Sequence, residues 1–254
     1  MKRLLASLGL LALLAPTALG QVKTSDITIK SGDEEIKGYL AVPEGKGPFP
    51  AIVVIQEWWG LNDWIKENAK HFASKGFVAI APDLYRGKVT DDPKIASQLR
   101  QGMPSDRAIR DCKAAVTAVA GMSNVKKDKI GSIGWCMGGQ QSINLALADD
   151  RVHACVICYG AVPKDAASVK SLHASVLGVF GENDKGIPAK GVREFEAALK
   201  EAGKTAEKIN IYPGAGHGFM RPMNGGKSNP EYREEAAKDA WAQIDAFFTK
   251  TLAK

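Results

Sequence analysis

The sequence lacks the strong excess of one charge that is typical of nucleic-acid-binding proteins. Its 34 lysines and arginines exceed its 28 aspartates and glutamates by six, which gives a net charge of +6. The excess falls to +4 without the two basic residues of the N-terminus, Lys2 and Arg3. Basic residues are spread among acidic ones, as on solvated helix faces. We therefore expect no nucleic-acid partner.

The sequence also lacks an apolar run long enough to cross a bilayer comfortably. An apolar stretch at residues 4–15 follows the basic start, whereas a transmembrane helix needs about 20 apolar residues. Small residues at Ala18 and Gly20 suit cleavage by a signal peptidase before Gln21. We interpret residues 1–20 as a signal peptide, and an uncleaved membrane anchor is the alternative.

The mature chain, residues 21–254, is predicted to be one compact α/β domain with a large core. No cysteine lies near the cleavage position, so a lipid-anchored form would have no attachment point. We expect an exported protein, periplasmic or secreted, which makes no membrane contact after cleavage and acts as a monomer.

Cysteine is scarce, with four residues in the whole chain. Cys155 and Cys158 lie three apart in an apolar, β-rich run, so their side chains are expected on opposite faces of one strand. They cannot easily bond each other, and we predict that both are buried free thiols. Cys112 lies in a helical pattern and has no obvious partner.

Strands and helices alternate along the chain after a short β-hairpin at its start. Such alternation predicts a mostly parallel sheet with helices on both faces. The segment at 87–102 is polar and weakly patterned, which indicates a mobile flap or a surface excursion. The predicted strands are 27–29, 36–42, 50–55, 77–81, 129–134, 152–159, 176–180 and 208–212, and the predicted helices are 64–75, 104–120, 140–148, 189–202 and 231–250.

A glycine-rich turn, GWCMGG at 134–139, lies between a predicted strand and a predicted helix. This order is the nucleophile elbow of the α/β-hydrolase fold, with Cys136 in the place of the usual serine. The N–H of Met137, at the start of the helix, is expected to donate to a developing oxyanion. A structural cysteine in a glycine-rich turn is the alternative, but the order of the elements favours a nucleophile.

A general base is expected at the carboxyl end of a strand, where active sites of parallel sheets form. His217 lies in a glycine-rich loop just after the last predicted strand. The other three histidines lie in a helix, at a strand start and before a strand: His71, His153 and His173. Position therefore selects His217 as the base.

The acid that orients the base is predicted to be Asp184, which follows the strand at 176–180. The order of nucleophile, acid and histidine along the chain is the one that α/β-hydrolases use. Glu182 is the competing acid. A turn aspartate or a helix N-cap is the structural alternative for Asp184.

The loop after the strand at 50–55 carries Glu57 and Trp58. In this fold that loop supplies the second oxyanion donor, which we assign to the N–H of Trp58. A carboxylate close to a thiol disfavours the thiolate, so Glu57 is predicted to hold Cys136 unreactive until substrate arrives. A solvated loop glutamate is the alternative, and the spacing does not decide between the two.

At this point the sequence resembles the dienelactone hydrolase family over nearly all of the mature chain. The cysteine elbow is the most specific of the matching segments. These segments are QEWWGLN at 56–62, PDLYRG at 82–87, GWCMGG at 134–139, GEND at 181–184 and AGHGF at 215–219. The resemblance implies the α/β-hydrolase fold and opening of an enol-lactone ring by a Cys–His–Asp triad, without a metal or an organic cofactor.

The resemblance also implies the residues that contact substrate. Members of the family hold the substrate carboxylate with two arginines, and Arg221 matches one of them. The other falls near Arg86, where this sequence is one residue shorter between tyrosine and arginine. Tyr85 and one of Trp58 and Trp59 are expected to line the cavity.

The predicted function is hydrolysis of a small lactone or carboxylic ester, with a carboxylated substrate, through an acyl-enzyme. A broader esterase or thioesterase without an anionic requirement is the first alternative. A non-catalytic ligand-binding or redox-responsive protein, with the elbow thiol as a sensor, is the second.

Overall fold

The computed structural model describes residues 22–224 and 227–253, so the predicted signal peptide lies outside the described residues. Eight strands form the central sheet, and two short strands pair separately. The eight are β1 (Lys23–Ser31), β2 (Glu34–Val42), β3 (Phe49–Ile55), β4 (Val78–Pro82), β5 (Val125–Trp135), β6 (Val152–Cys158), β7 (Ser175–Gly181) and β8 (Ala206–Tyr212), and the separate pair is β9 (Met223–Asn224) and β10 (Lys227–Ser228).

Helices connect most of the strands. Within the described part of the chain, no helix is both long and apolar enough to cross a membrane. The helices are α1 (Asp63–Ser74), α2 (Pro93–Gln101), α3 (Ser105–Ala120), α4 (Met137–Ala148), α5 (Ala189–Glu201) and α6 (Glu234–Leu252), with a short 3-10 helix at Ala167–Val169.

The sheet has the order β1-β2-β4-β3-β5-β6-β7-β8. β1 and β2 form an antiparallel hairpin, and β2 pairs antiparallel with β4. All remaining pairs are parallel. The predicted α/β architecture with an N-terminal hairpin is therefore confirmed, and the carboxyl ends of β3 to β8 meet at one edge.

The core has two layers, one on each face of the sheet. Along β3, Ala51, Val53 and Ile55 belong to one layer, whereas Ile52 and Val54 belong to the other. This alternation follows from the two-residue period of a strand, and both sides are apolar because both faces are covered. Helices α3, α4 and α5 pack on the first face, and α1 and α6 pack on the second.

The cysteines follow the same geometry. Cys155 lies in the first layer and Cys158 in the second, so the two side chains point to opposite faces of β6 as predicted. None of the four cysteines, all of which the structure describes, is in a disulfide.

Helix α2 was not predicted and lies inside the segment that we expected to be a flap or excursion. Asp92 caps its N-terminus by accepting a hydrogen bond from the Lys94 N–H at 2.7 Å, and Pro93 is its first residue. Ala96 is its one buried residue, and Leu99 packs partly on the core. Its cap and its proline are the signal that sequence reasoning passed over.

Candidate active site

The turn that carries Cys136 has the geometry of a nucleophile elbow. Cys136 stands between β5 and α4 with φ 55° and ψ −117°, a conformation that residues with a side chain rarely adopt. A Cβ atom at Gly134 would collide with the backbone of Gly138. A Cβ atom at Gly138 would collide with the carbonyl groups of Ile55 and Gln56. Glycine is therefore required on both sides, and the strain is held by the surrounding backbone.

The elbow is fastened to the neighbouring strand. The Cys136 N–H donates to the carbonyl of Cys158 at 2.9 Å, which ties the turn to the end of β6. Met137 is the first residue of α4, so its N–H lies at the positive end of the helix dipole. The loop after β3 places Trp58 at the same edge of the sheet.

His217 and Asp184 meet although 33 residues separate them. The imidazole Nδ1 lies 2.7 Å from the Asp184 Oδ2. The other oxygen, Oδ1, accepts from the N–H groups of Gly186 at 2.8 Å and Ile187 at 2.9 Å, which fixes the carboxylate. Glu182, the competing acid, instead accepts from the Gly214 N–H at 3.1 Å. The structure therefore pairs His217 with Asp184 and not with Glu182.

The electrostatics of this pair favour a charged imidazole. Burial opposes the charge, but hydrogen bonds with Asp184 and Cys136 and their negative charges together raise the pKa of His217 to about 10. Burial likewise opposes charge on Asp184, and the contacts with His217 and the backbone N–H groups hold the pKa of that carboxyl below its usual value. The cysteine, the imidazole and the carboxylate thus form one coupled set.

These side chains line one cavity of about 740 Å³ at the carboxyl edge of the sheet. The cavity brings together eight of the predicted site residues, namely Cys136, His217, Asp184, Glu57, Met137, Trp58, Trp59 and Arg221. Among the described residues no group of three or more His, Cys, Asp or Glu side chains is arranged to hold a metal ion.

Glu57 and Arg221 form a buried ion pair. The Arg221 Nη1 donates to the Glu57 Oε2 at 2.7 Å, with only 4% of Glu57 and 7% of Arg221 exposed. The Arg221 guanidinium also lies over the rings of Trp59 at 5.7 Å and Trp64 at 5.5 Å. Burial raises the pKa of Glu57, and the charge of Arg221 opposes that rise. Glu57 is therefore not a solvated loop residue, and its hydrogen-bond partner is Arg221.

Arg86 lies elsewhere, which corrects its expected place beside the substrate. Its Nη1 donates to Asp111 and its Nη2 to Glu34, both at 2.7 Å. With Tyr85 it lines a second cavity of about 440 Å³. The tight turn after β4, with Arg86 at φ 58°, directs its side chain toward these carboxylates. The Tyr85 hydroxyl reaches only the back of the site, 3.2 Å from the Met137 sulfur.

Two exposed basic residues on the cavity wall were missed by sequence reasoning. Arg100 comes from the last turn of α2, and Lys185 follows Asp184. Because α2 was not predicted, nothing in the sequence pattern placed Arg100 at the carboxyl edge.

Known proteins resemble this chain over nearly all of its length. The model of the dienelactone hydrolase family matches residues 36–252. A protein of Methylorubrum extorquens named "Putative carboxymethylenebutenolidase" is 33% identical over 237 residues, which are 88% of this chain and 79% of that protein. One of the same name from Synechocystis is 30% identical over 91% of this chain and 98% of its own length.

Solved structures agree with these relatives. A dienelactone hydrolase-like promiscuous phosphotriesterase from metagenomic libraries superposes with a TM-score of 0.82 and is 26% identical, covering 91% of this chain and 99% of its own. Because the family model spans most of the sequence, from the hairpin to the last helix, the chain belongs to the dienelactone hydrolase family and is a hydrolase.

Proposed function

We propose that this hydrolase opens small lactones or cleaves carboxylic esters through a thioester intermediate on Cys136. One observation carries the proposal, namely a cysteine at a strained turn that shares a cavity with a hydrogen-bonded His217–Asp184 pair. A nucleophile with an adjacent base, and a third group that orients the base, is the arrangement that acyl transfer requires. The names of the relatives support the choice of lactone and ester substrates.

Acylation begins when the Cys136 sulfur attacks the substrate carbonyl carbon and its proton passes to His217. A C–S bond forms, and the carbonyl electron pair moves to oxygen. The N–H groups of Met137 and Trp58 stabilise that oxyanion. When it collapses, the C–O bond breaks and the leaving oxygen takes the proton from His217. In an enol-lactone this oxygen stays attached to the acyl chain as an enol, which becomes a ketone.

Deacylation reverses these roles with water as the nucleophile. His217 accepts a proton from water, whose oxygen attacks the thioester carbon. The C–S bond then breaks, the sulfur recovers the proton, and the carboxylic acid product leaves. Asp184 keeps the imidazole in the tautomer and orientation that both steps need.

Glu57 and Arg221 bear on the resting state in this scheme. Because the Glu57 carboxylate is bonded to Arg221, its negative charge is partly neutralised beside the nucleophile. The predicted control of the thiol by Glu57 therefore depends on the ion pair with Arg221.

The test is turnover of a panel of enol-lactones and short p-nitrophenyl esters by wild type, Cys136→Ala and Cys112→Ala. Cys112 is a fully buried thiol in α3 and serves as the matched control. Cys136→Ala should lose at least about a thousandfold in kcat/KM, whereas Cys112→Ala should keep its activity once thermal melting shows it folded. Comparable turnover by Cys136→Ala would remove the assigned nucleophile.

A broader esterase without an anionic requirement is the second candidate. The resemblance assigns Arg221 to the substrate carboxylate, but this arginine is already bonded to Glu57. That bond favours a site without an anionic requirement. Equal kcat/KM for carboxylated and neutral esters would support this candidate.

A further inference from the structure

Most charges of the active-site cavity cancel in pairs. Glu57 is bonded to Arg221, and Asp184 is bonded to His217. The charged residues that remain on the wall are Arg100, Lys185 and Glu231. Neither Arg100 nor Lys185 makes an ion pair within 22–224 and 227–253.

Glu231 packs against the loop that carries His217. Its carboxylate occupies the space that a side chain at Gly216 would need. Two positive groups and one negative group therefore remain, and the cavity has a positive excess. A wall of this charge favours an anionic ligand.

Arg100 is held in place by its helix although its side chain is exposed. The segment before α2 is tied to the loop after β3 by a hydrogen bond from the Thr90 N–H to the Trp59 carbonyl at 3.0 Å. Gly60 has φ 95°, and a Cβ atom there would collide with the Lys88 carbonyl. The loop after β3 and the start of α2 thus fit closely, and the last turn of α2 stands over the cavity.

Arg100 and Cys136 lie near the same phenol. Burial raises the pKa of Tyr85, the positive charge of Arg100 opposes that rise, and Cys136 adds to it. The Tyr85 hydroxyl contacts Met137, the residue next to the nucleophile. Arg100 and Cys136 line the same cavity.

We propose that Arg100 determines the substrate specificity of this hydrolase by binding a carboxylate of the acyl chain while Arg221 remains with Glu57. The inference rests on the proposed function and deepens it, since it makes carboxylated esters and lactones the preferred class. Arg86 has no part in it, because its guanidinium is bonded to Asp111 and Glu34 in the other cavity.

The first test compares two esters of equal length, mono-p-nitrophenyl glutarate and p-nitrophenyl valerate, which differ by a terminal carboxylate in place of a methyl group. Arg100→Gln should lower the ratio of their kcat/KM values by about 1.4- to 5-fold, the range for an exposed ion pair. Arg193→Gln, an exposed arginine of α5 outside both cavities, makes the same change in net charge and should leave the ratio unchanged.

The second test does not depend on turnover. Iodoacetate and iodoacetamide alkylate a thiolate in the same way, with loss of iodide, but only iodoacetate is an anion. The other three cysteines are 0% exposed, so the label is expected on Cys136, and peptide mass spectrometry verifies it. Arg100→Gln should lower the iodoacetate-to-iodoacetamide rate ratio about threefold, and Arg193→Gln should not.

The two tests separate the two proposals. Absence of ester hydrolysis by wild type would remove the proposed function, while the alkylation ratio would still report on Arg100. Hydrolysis with both ratios unchanged in Arg100→Gln would overturn the role of Arg100 and leave the hydrolase intact. An equal fall of both ratios in Arg193→Gln would assign the effect to net charge and also overturn it.

Discussion

The buried pair of Glu57 and Arg221 makes the sharpest prediction about stability. Arg221→Met leaves a buried carboxylate without its partner, and such a loss costs about 3–5 kcal/mol. For a domain of this size that corresponds to a fall in Tm of about 6–20 °C. Glu57→Gln leaves the guanidinium over two tryptophan rings, so its cost should be smaller, about 1–3 kcal/mol. The double variant should recover most of the loss, because neither charge remains.

The loss in Arg221→Met should also depend on pH. Burial raises the folded-state pKa of Glu57 above its ordinary 4.5, so its stability contribution is full below that value and is lost as pH rises through the folded-state pKa. In Arg221→Met no positive charge opposes the rise in the pKa of Glu57. Only the ionised form of Glu57 then destabilises the folded state. Arg221→Met should therefore lose less stability at pH 5 than at pH 8.

Urea unfolding of the wild type, both single variants and the double variant at these two pH values measures the effect. The prediction is a coupling energy of at least about 1.5 kcal/mol at pH 8 and a smaller one at pH 5. Losses that add to within about 0.5 kcal/mol would show that the two side chains do not interact in solution. That result would refute the reasoning from their contact.

Three further predictions concern the elbow, the imidazole and the second cavity. Gly134→Ala should lower the free energy of unfolding by about 3 kcal/mol, because its Cβ atom collides with the next helix, and urea melts measure this. Asp184→Asn should lower the pKa of His217 from about 10 toward its ordinary 6.5, because the carboxylate stabilises the imidazolium, and NMR titration reads this shift. Wild-type stability from His217, complete below pH 6.5, is lost as pH rises through 10, and Asp184→Asn should weaken that dependence. Arg86→Gln should cost about 1–3 kcal/mol, because Asp111 is 0% exposed and, among the described residues, keeps only Arg110 and Ser31 as partners, without changing the preference between glutarate and valerate esters.

Each of these three has a matched control. Gly121→Ala is the control for Gly134→Ala, because its Cβ atom makes only ordinary contacts at 3.5 Å and its φ is −79°. If neither variant changed the free energy of unfolding, the steric account would be contradicted. Glu182→Gln should leave the His217 titration unchanged, and an equal shift in both variants would contradict the assigned acid. A fall in carboxylate preference with Arg86→Gln would contradict the placing of Arg86 in the second cavity.

Sequence reasoning located the elements of the site because their signals are local. The elbow needs a strand, a glycine-spaced turn and a helix in succession, and the glycines are required by backbone contacts with Gly138 and Ile55. His217 and Asp184 each follow a strand, and parallel strands bring their carboxyl ends to one edge. The meeting of these two residues was therefore predictable.

Partners of the arginines were not predictable, because they depend on contacts between distant parts of the chain. Glu57 and Arg221 are 164 residues apart, and their individual roles had been assigned separately. Arg86 finds Asp111 on α3 and Glu34 on β2. Residue patterns state which side chains are basic but not which carboxylate lies within 3 Å of each.

Helix α2 was missed for a different reason. The helix has nine residues, and its apolar residues are only Ile95, Ala96 and Leu99, so the periodic signal covers little more than one turn. Its Asp92–Pro93 start is a local signal that was present. Arg100 lies on α2. Because sequence reasoning missed this helix, it also missed the cation that we propose sets specificity.

The central claim is that Cys136 carries the acyl group, and one measurement tests it most directly. p-Nitrophenolate leaves without a proton, so His217→Asn should slow deacylation by water more than acylation, and intact mass after mixing this variant with p-nitrophenyl acetate should show a trapped thioester. The account predicts one acetyl group per chain, located by peptide mapping on Cys136 and absent in the Cys136→Ala, His217→Asn double variant. An acetyl group on any other residue, or one that persists in the double variant, would contradict it.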